Sequence, residues 1–160
     1  MKTTDDSQGC TSPDKKTETF FPTRFEFQIW GPFRVSHFVK HLGASRLEYK
    51  IRKFDHTALR RDRSQFVQEQ ITTIHPDGNR WNLFWQDVEQ IGVWRWKRYY
   101  MNLHICDGTM WDVCLEFRKQ FVETEGANAY PGGNHVSFSS NGEFEAFLQA
   151  LNKLTGLKIG

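Results

Sequence analysis

Apolar and polar residues alternate along several short segments of the chain. The alternation is clear over residues 24–30 and 47–53, and a period of two residues is typical of strands with one buried face. Residues 65–75, which lead into a turn sequence, are also predicted to form a strand. The spacing changes between Pro32 and Gly43, where apolar residues approximate one face of a helix. Because proline suits a first helical turn and glycine suits a C-terminal cap, this segment is predicted to form a short helix.

Two hairpins are predicted further along the chain. Pro76-Asp77-Gly78 has the composition of a tight turn, which predicts a return strand over residues 80–85 and then a strand over residues 91–96. The second hairpin is predicted to run from residue 99 to residue 117. A three-residue loop at Cys106-Asp107-Gly108 gives it a nearly continuous apolar face.

This register of the second hairpin decides the expected state of two cysteines. It places Cys114 opposite Tyr100 and leaves Cys106 in the loop. Cysteines placed in this way are not expected to form a disulfide.

The last part of the chain is predicted to be a loop followed by a helix. Residues 123–140 hold several glycines and a proline, which indicates a long loop. Asn141 is a suitable helix N-cap and Gly156 a suitable end. The apolar residues between them recur at helical spacing: Phe144, Phe147, Leu148, Leu151 and Leu154.

These elements define an α+β fold in one domain over residues 21–160. The expected architecture is an antiparallel β-sheet or partly open barrel closed by the C-terminal amphipathic helix. Residues 1–20 are polar and lack apolar periodicity, so they are expected to be a disordered tail.

The order of elements resembles small bacterial pleckstrin-homology-like (PH-like) domains over about residues 47–160. The resemblance rests on the turn at Pro76-Asp77-Gly78, the later hairpin and the C-terminal helix, and its nearest approach to a signature is Trp85-Gln86-Asp87-Val88. It implies a scaffold, and a shared scaffold does not specify a function. Relatives of this fold that bind phosphoinositides do so with loop cations.

Composition narrows the classes of partner. The chain has 21 Lys and Arg against 19 Asp and Glu, so a field strong enough to condense on duplex nucleic acid or an anionic membrane is not expected. The first twenty residues hold no apolar stretch, and neither a signal peptide nor a transmembrane segment is predicted. The three cysteines lack CxxC spacing, which favours a cytoplasmic protein with free thiols.

Catalytic motifs are not visible in the sequence. There is no nucleophile with a neighbouring base, no phosphate-binding glycine loop and no zinc-protease motif. Cys114 with a distant histidine is left open as a nucleophile. His37 and His41 share a face of the predicted helix, but they have no acidic or cysteine partner at a zinc-binding distance, so neither a metal nor a cofactor is predicted.

Two basic segments are candidate binding sites. Rings and cations interleave in Trp94, Arg95, Trp96, Lys97 and Arg98, a composition used by grooves for single-stranded nucleic acid. The same order also suits a strand with its rings inside and its charges outside. Arg60, Arg61 and Arg63 could form a patch for an anionic ligand or simply a solvated charged surface.

The leading functional hypothesis is a non-catalytic module that binds a protein partner, such as an adaptor, an inhibitor or an immunity protein. It would use a sheet edge or the groove beside the C-terminal helix. The reasons are the missing catalytic motifs and the aromatic content of 15%, since aromatic and arginine side chains often anchor interfaces. The alternative is binding of single-stranded nucleic acid or an anionic ligand through residues 94–100 and 60–63.

Overall fold

The computed structural model describes residues 20–31, 35–54, 67–105, 108–133 and 142–159. Within them a single sheet has the strand order β4-β3-β2-β1-β6-β7-β5, and its two edges do not meet. All neighbours are antiparallel except β5 and β7. The elements are β1 Arg24–Trp30, β2 Ser36–Gly43, β3 Arg46–Phe54, β4 Val67–Ile74, α1 Gly78–Ile91, β5 Tyr99–Met101, β6 Met110–Phe117, β7 Gln120–Ala127 and α2 Glu143–Thr155.

The predicted α+β class with a mostly antiparallel sheet and a C-terminal helix is confirmed. The strands predicted at residues 24–30, 47–53 and 65–75 correspond to β1, β3 and β4. The helix predicted from Asn141 to Leu154 is α2, whose N-cap is Gly142 and whose C-cap is Gly156 at φ 73°. Asn141 itself lies outside the described residues.

The helix predicted between Pro32 and Gly43 is wrong, because this segment contains the strand β2. β2 lies between β1 and β3 and pairs with both, so its main-chain groups are satisfied by the sheet. Gly43 has a φ of 103° and Ala44 a φ of 49°. Gly43 ends β2 at a register shift and Ala44 begins the turn to β3, so the glycine that was interpreted as a helix cap lies at the end of a hairpin strand.

The return strand predicted at residues 80–85 is also wrong, since α1 occupies this segment. A carboxylate oxygen of Asp77 accepts a hydrogen bond of 2.8 Å from the main-chain N–H of Arg80, which caps the helix. The buried residues of α1 recur at helical spacing: Trp81, Phe84, Trp85 and Val88. Trp85-Gln86-Asp87-Val88, the nearest approach to a signature in the resemblance to PH-like domains, therefore lies in a helix. Residues 91–96, predicted as a strand, contain the end of α1 and a 3-10 turn at Val93–Arg95.

The hairpin predicted between residues 99 and 117 does not form. β5 pairs in parallel with β7, while β6 pairs with β1 and β7. Cys114 is therefore opposite Glu26 and Glu123, not Tyr100. Its thiol is free and buried, whereas Cys106 lies outside the described residues. The loop predicted at 123–140 is wrong for residues 123–127, which belong to β7 and pair with β6. Residues 134–140 of this prediction lie outside the described residues.

Aromatic rings join both helices to one face of the sheet. Trp81 of α1 meets Phe25 edge to face at 5.6 Å between ring centroids, and Trp85 stacks on Phe117 at 4.2 Å. In α2, Phe144 packs on Trp111 at 4.6 Å. The helices and the sheet thus form two layers. Among the described helices none is long and apolar enough to cross a membrane.

Candidate functional site

The sheet face turned away from α1 and α2 is called the open face below. Strand pairing brings side chains of several strands into rows on this face. One row contains Tyr99, Glu125, Asp112, Gln28 and Phe38 in that order. The next contains Glu123, Cys114, Glu26 and Lys40. Charged and polar side chains from β1, β6 and β7 therefore meet on the open face.

A groove of about 120 Å³ opens between these strands. Small-molecule sites typically have about 300–1,000 Å³, so this groove is closer to the size of one side chain. Its charged lining consists of Arg24, Glu26, Arg98, Asp112, Glu123 and Glu125, and Cys114 lines it as well. Four carboxylates thus face two guanidinium groups.

Among these charged groups, Asp112 has the most strongly shifted pKa. Its Oδ1 accepts a hydrogen bond of 2.6 Å from Nε2 of Gln28, but its Oδ2 is buried and has no hydrogen-bond partner among the described residues. Burial raises the pKa of this carboxyl to about 6; the Gln28 bond works against the rise, and the charges of Glu125 and Glu26 add to it. Within the described part of the chain, the ionised carboxylate of Asp112 therefore has no cation paired with it.

The two arginines of the groove are already paired with other carboxylates. Arg24 lies 3.3 Å from Glu26. Arg98 lies 3.4 Å from Glu123 and also covers the ring of Tyr99 at 5.5 Å. Neither pair compensates Asp112, so the groove keeps an excess of negative charge.

Cys114 is a weak candidate for a nucleophile. Burial raises the pKa of its thiol, Arg24 lowers it, and the surrounding carboxylates raise it further. The thiolate is the reactive form, and these surroundings disfavour it. None of the described residues that line the groove is a histidine that could act as a base.

An apolar rim borders the groove at the β5 edge of the sheet. Met101 is 59% exposed, and the pairing of β5, β7, β6 and β1 places it in one row with Met110 and Trp30. Tyr99 is exposed beside them, and Leu103 is 81% exposed just beyond β5. Single exposed apolar residues are common, whereas a cluster next to a groove indicates a contact surface.

The aromatic part of the predicted nucleic-acid segment is largely internal. Trp96 is 8% exposed and donates a hydrogen bond of 2.8 Å to Glu143. Trp94 is half-buried, stacks on Trp85 at 6.1 Å and donates to Glu89. The two indoles therefore do not form a surface on which bases could stack.

The predicted cations are divided among different places. Arg95, Lys97 and Arg98 are exposed, and only Arg98 lines the groove. The predicted residues Arg60, Arg61 and Arg63 lie outside the described residues.

His37 and His41 are not brought together as a metal site. They lie on β2, where residues four apart are separated by about 13 Å. His37 Nδ1 is hydrogen-bonded to the Tyr49 hydroxyl at 2.8 Å, and His41 Nε2 to the Ala44 carbonyl at 2.8 Å. Across the described ranges, no three His, Cys, Asp or Glu side chains are placed to hold a metal ion.

The groove was missed at the level of sequence, although a signal for it exists. Glu123 and Glu125 alternate with Val122 and Thr124, the period expected of a strand. The glycines that follow favoured a loop instead. The approach of β7 to Asp112 depends on the register of β6 and β7, which no local pattern provides.

Comparisons with known proteins do not assign the chain. No protein-family model matches it, and no curated protein matches it.

Proposed function

We propose that this chain is a non-catalytic module that binds a protein partner on its open face, as an adaptor, an inhibitor or an immunity protein would. The observation that carries the proposal is Asp112, which lines a groove next to an apolar rim and whose buried Oδ2 has no partner among the described residues. A partner that binds here is expected to place a cation and an apolar group side by side.

A lysine or arginine side chain of the partner supplies the missing cation. Hydrogen bonds between a guanidinium or ammonium group and a carboxylate are about twice as strong as neutral ones. The groove volume of about 120 Å³ suits one such side chain. Glu125 lies beside Asp112 in the same row and adds to the attraction.

The apolar rim supplies the contact area. Tyrosine and methionine are enriched in interface cores, and Tyr99, Met101 and Met110 are all exposed here. A partner segment with a basic residue flanked by apolar residues would fill the groove and cover the rim together. We expect most of the binding energy to come from these few anchors.

Binding of single-stranded nucleic acid is the weaker candidate. It requires exposed ring faces next to cations, and Trp96 is in the core. An enzyme is weaker still, since the groove combines a disfavoured thiolate with a lining in which no described residue is a histidine.

The test is affinity purification from the native host with matched variants, read out by mass spectrometry. Tyr99→Ala/Met101→Ala truncates the two rim residues on β5, and Leu83→Ala is the control, because Leu83 is 58% exposed on α1 and points away from the sheet. We expect a protein that is retained by the native chain and the control, is lost with the rim variant, and cross-links to β5 or β7. Recovery of the bare chain, or a partner that is retained equally by all three proteins, would refute the proposal.

A further inference from the structure

The edge strand β4 is long, and among the described residues no element covers its outer edge. It is the last strand in the sheet order, and within the described part of the chain it pairs only with β3. Every residue from Gln68 to Thr73 is exposed, including those on the helix side of the sheet. In an edge strand, alternate residues direct their main-chain N–H and C=O groups away from the neighbouring strand. β4 therefore presents a row of main-chain donors and acceptors.

This edge has little of the usual protection against pairing. Proteins shield edge strands with proline, charged side chains (lysine above all), bulges or very short length. β4 has eight residues, Val67–Ile74, with neither proline nor lysine, and its pairing with β3 shows no register shift. The opposite edge, β5, has only three residues. The contrast marks β4 as the edge suited to a further strand.

We infer that β4 pairs antiparallel with β4 of a second copy of this chain, around a two-fold axis at Ile71. Ile71 is 53% exposed and lies on the open face. In this register it contacts the partner's Ile71, and each Glu69 is opposite the partner's Thr73. Two copies of one strand can pair in this way because a two-fold contact uses the same surface on both subunits.

Charge favours a second copy as the occupant. Glu69 is the only charged residue of β4, and Arg52 and Lys50 of the same chain already pair with it. The two Glu69 side chains of the dimer are four residues apart along the strand, about 14 Å, which exceeds the Debye length of about 8 Å. The edge therefore neither repels its own copy nor selects a partner of opposite charge.

The register follows from the faces of the sheet. Opposed residues must share a face, so Ile71 can pair with itself or with residues two positions away. A shift of two residues in one direction places Ile71 opposite the partner's Glu69, which leaves an apolar side chain against a carboxylate. A shift in the other direction places Ile71 opposite the partner's Thr73, which separates the two isoleucines. Pairing at Ile71 buries two isoleucines together and gives Glu69 a hydroxyl neighbour.

The first test is sedimentation equilibrium of the whole chain between about 1 μM and 1 mM, a range suited to a small interface. We expect the mass to rise from 18.9 kDa towards twice that value. Ile71→Lys places two lysines directly opposite each other at the axis, with their Cβ atoms about 5 Å apart, and the like charges should keep the chain monomeric. Ile71→Thr, the control, adds no charge and should still dimerise. Circular dichroism and the thermal midpoint confirm that both variants fold.

A mixture of two oppositely charged variants provides the decisive test. Ile71→Lys and Ile71→Glu should each be monomeric alone and form a dimer when mixed. Thr73→Lys, placed opposite the partner's Glu69, should lower the dissociation constant several-fold. A native chain that is monomeric throughout, a dimer that Ile71→Lys leaves intact, or a mixture that stays monomeric would overturn the inference. The rim variants lie at the other edge, six strand spacings or about 29 Å away, so the two proposals fail independently.

Discussion

Gln28 of β1 donates a hydrogen bond of 2.6 Å to Asp112 of β6, directly across the pair of strands. This bond satisfies one oxygen of a half-buried carboxyl, while the other oxygen has no partner among the described residues. The residue thus has the two properties expected of a binding site: a fixed orientation and an unmet interaction. Both properties can be measured without knowledge of the partner.

The first prediction is a pH-dependent stability difference between the native chain and Asp112→Asn. The pKa of Asp112 is raised in the folded state to about 6 from an ordinary value near 3.8, so the folded chain holds this proton more tightly than the unfolded chain. Folding is therefore penalised as the pH rises from about 4 to 6, and the penalty is complete above 6. Because solvent screens the charge of this half-buried carboxyl, we expect the penalty to be about 1–2 kcal/mol.

Urea denaturation at several pH values measures this difference. Asp112→Asn should unfold at higher urea than the native chain at pH 7.5, and the gap should close towards pH 4. Gln86→Ala, which changes an uncharged residue exposed on α1, is the control and should show the same pH dependence as the native chain. An Asp112→Asn variant that tracks the native chain at every pH would mean that the carboxyl is not perturbed.

The second prediction contrasts two glycines. A Cβ added at Gly126 would lie 2.3 Å from the indole of Trp111, which is fully buried. Gly126→Ala should therefore cost about 1–3 kcal/mol of unfolding free energy through overpacking. Gly78→Ala meets only Phe20 at 4.0 Å and, as the first residue of α1, should be neutral or stabilising by up to about 1 kcal/mol. Equal denaturation midpoints for the two variants would contradict the packing around Trp111.

The elements that sequence predicted well are those in which periodicity and terminators agree. β1 and β3 alternate cleanly, and α2 has apolar residues at helical spacing before Gly156. In α1 the two periods conflict: Trp81, Leu83 and Trp85 alternate like a strand, but Leu83 is exposed and Phe84 is buried. The Asp77 that suggested a turn is the N-cap, and both roles use the same side-chain chemistry.

The candidate site was predictable only in small part. Of its charged residues, only Arg98 was identified from sequence. Asp112 becomes unusual because β1 and β7, far apart in the chain, lie on either side of β6. Strand order and register are properties of the whole fold, so the environment of this carboxyl could not be derived from its neighbours in sequence.

The third prediction concerns the stack that joins α1 to the sheet. The rings of Trp85 and Phe117 are nearly parallel, with an interplanar angle of 3°, and both residues are buried. Phe117→Ala should cost about 3–5 kcal/mol, as for other buried aromatic truncations. Leu83→Ala, on the exposed side of α1, should change stability by less than about 0.5 kcal/mol. Chemical denaturation followed by circular dichroism measures both, and a Phe117→Ala cost under about 1 kcal/mol would contradict this packing.

The last prediction separates protein binding from nucleic-acid binding. Titration with a single-stranded oligonucleotide should leave the tryptophan fluorescence unchanged, because Trp96 is buried and Trp94 is stacked on Trp85. Binding through phosphates weakens steeply between about 50 and 200 mM salt, so the titration is run at both concentrations. Lys97→Ala is a useful companion, since Lys97 is exposed but does not line the groove. Quenching that falls with salt and with this substitution would favour a nucleic-acid site at residues 94–100, whereas flat titrations leave the open face as the candidate surface.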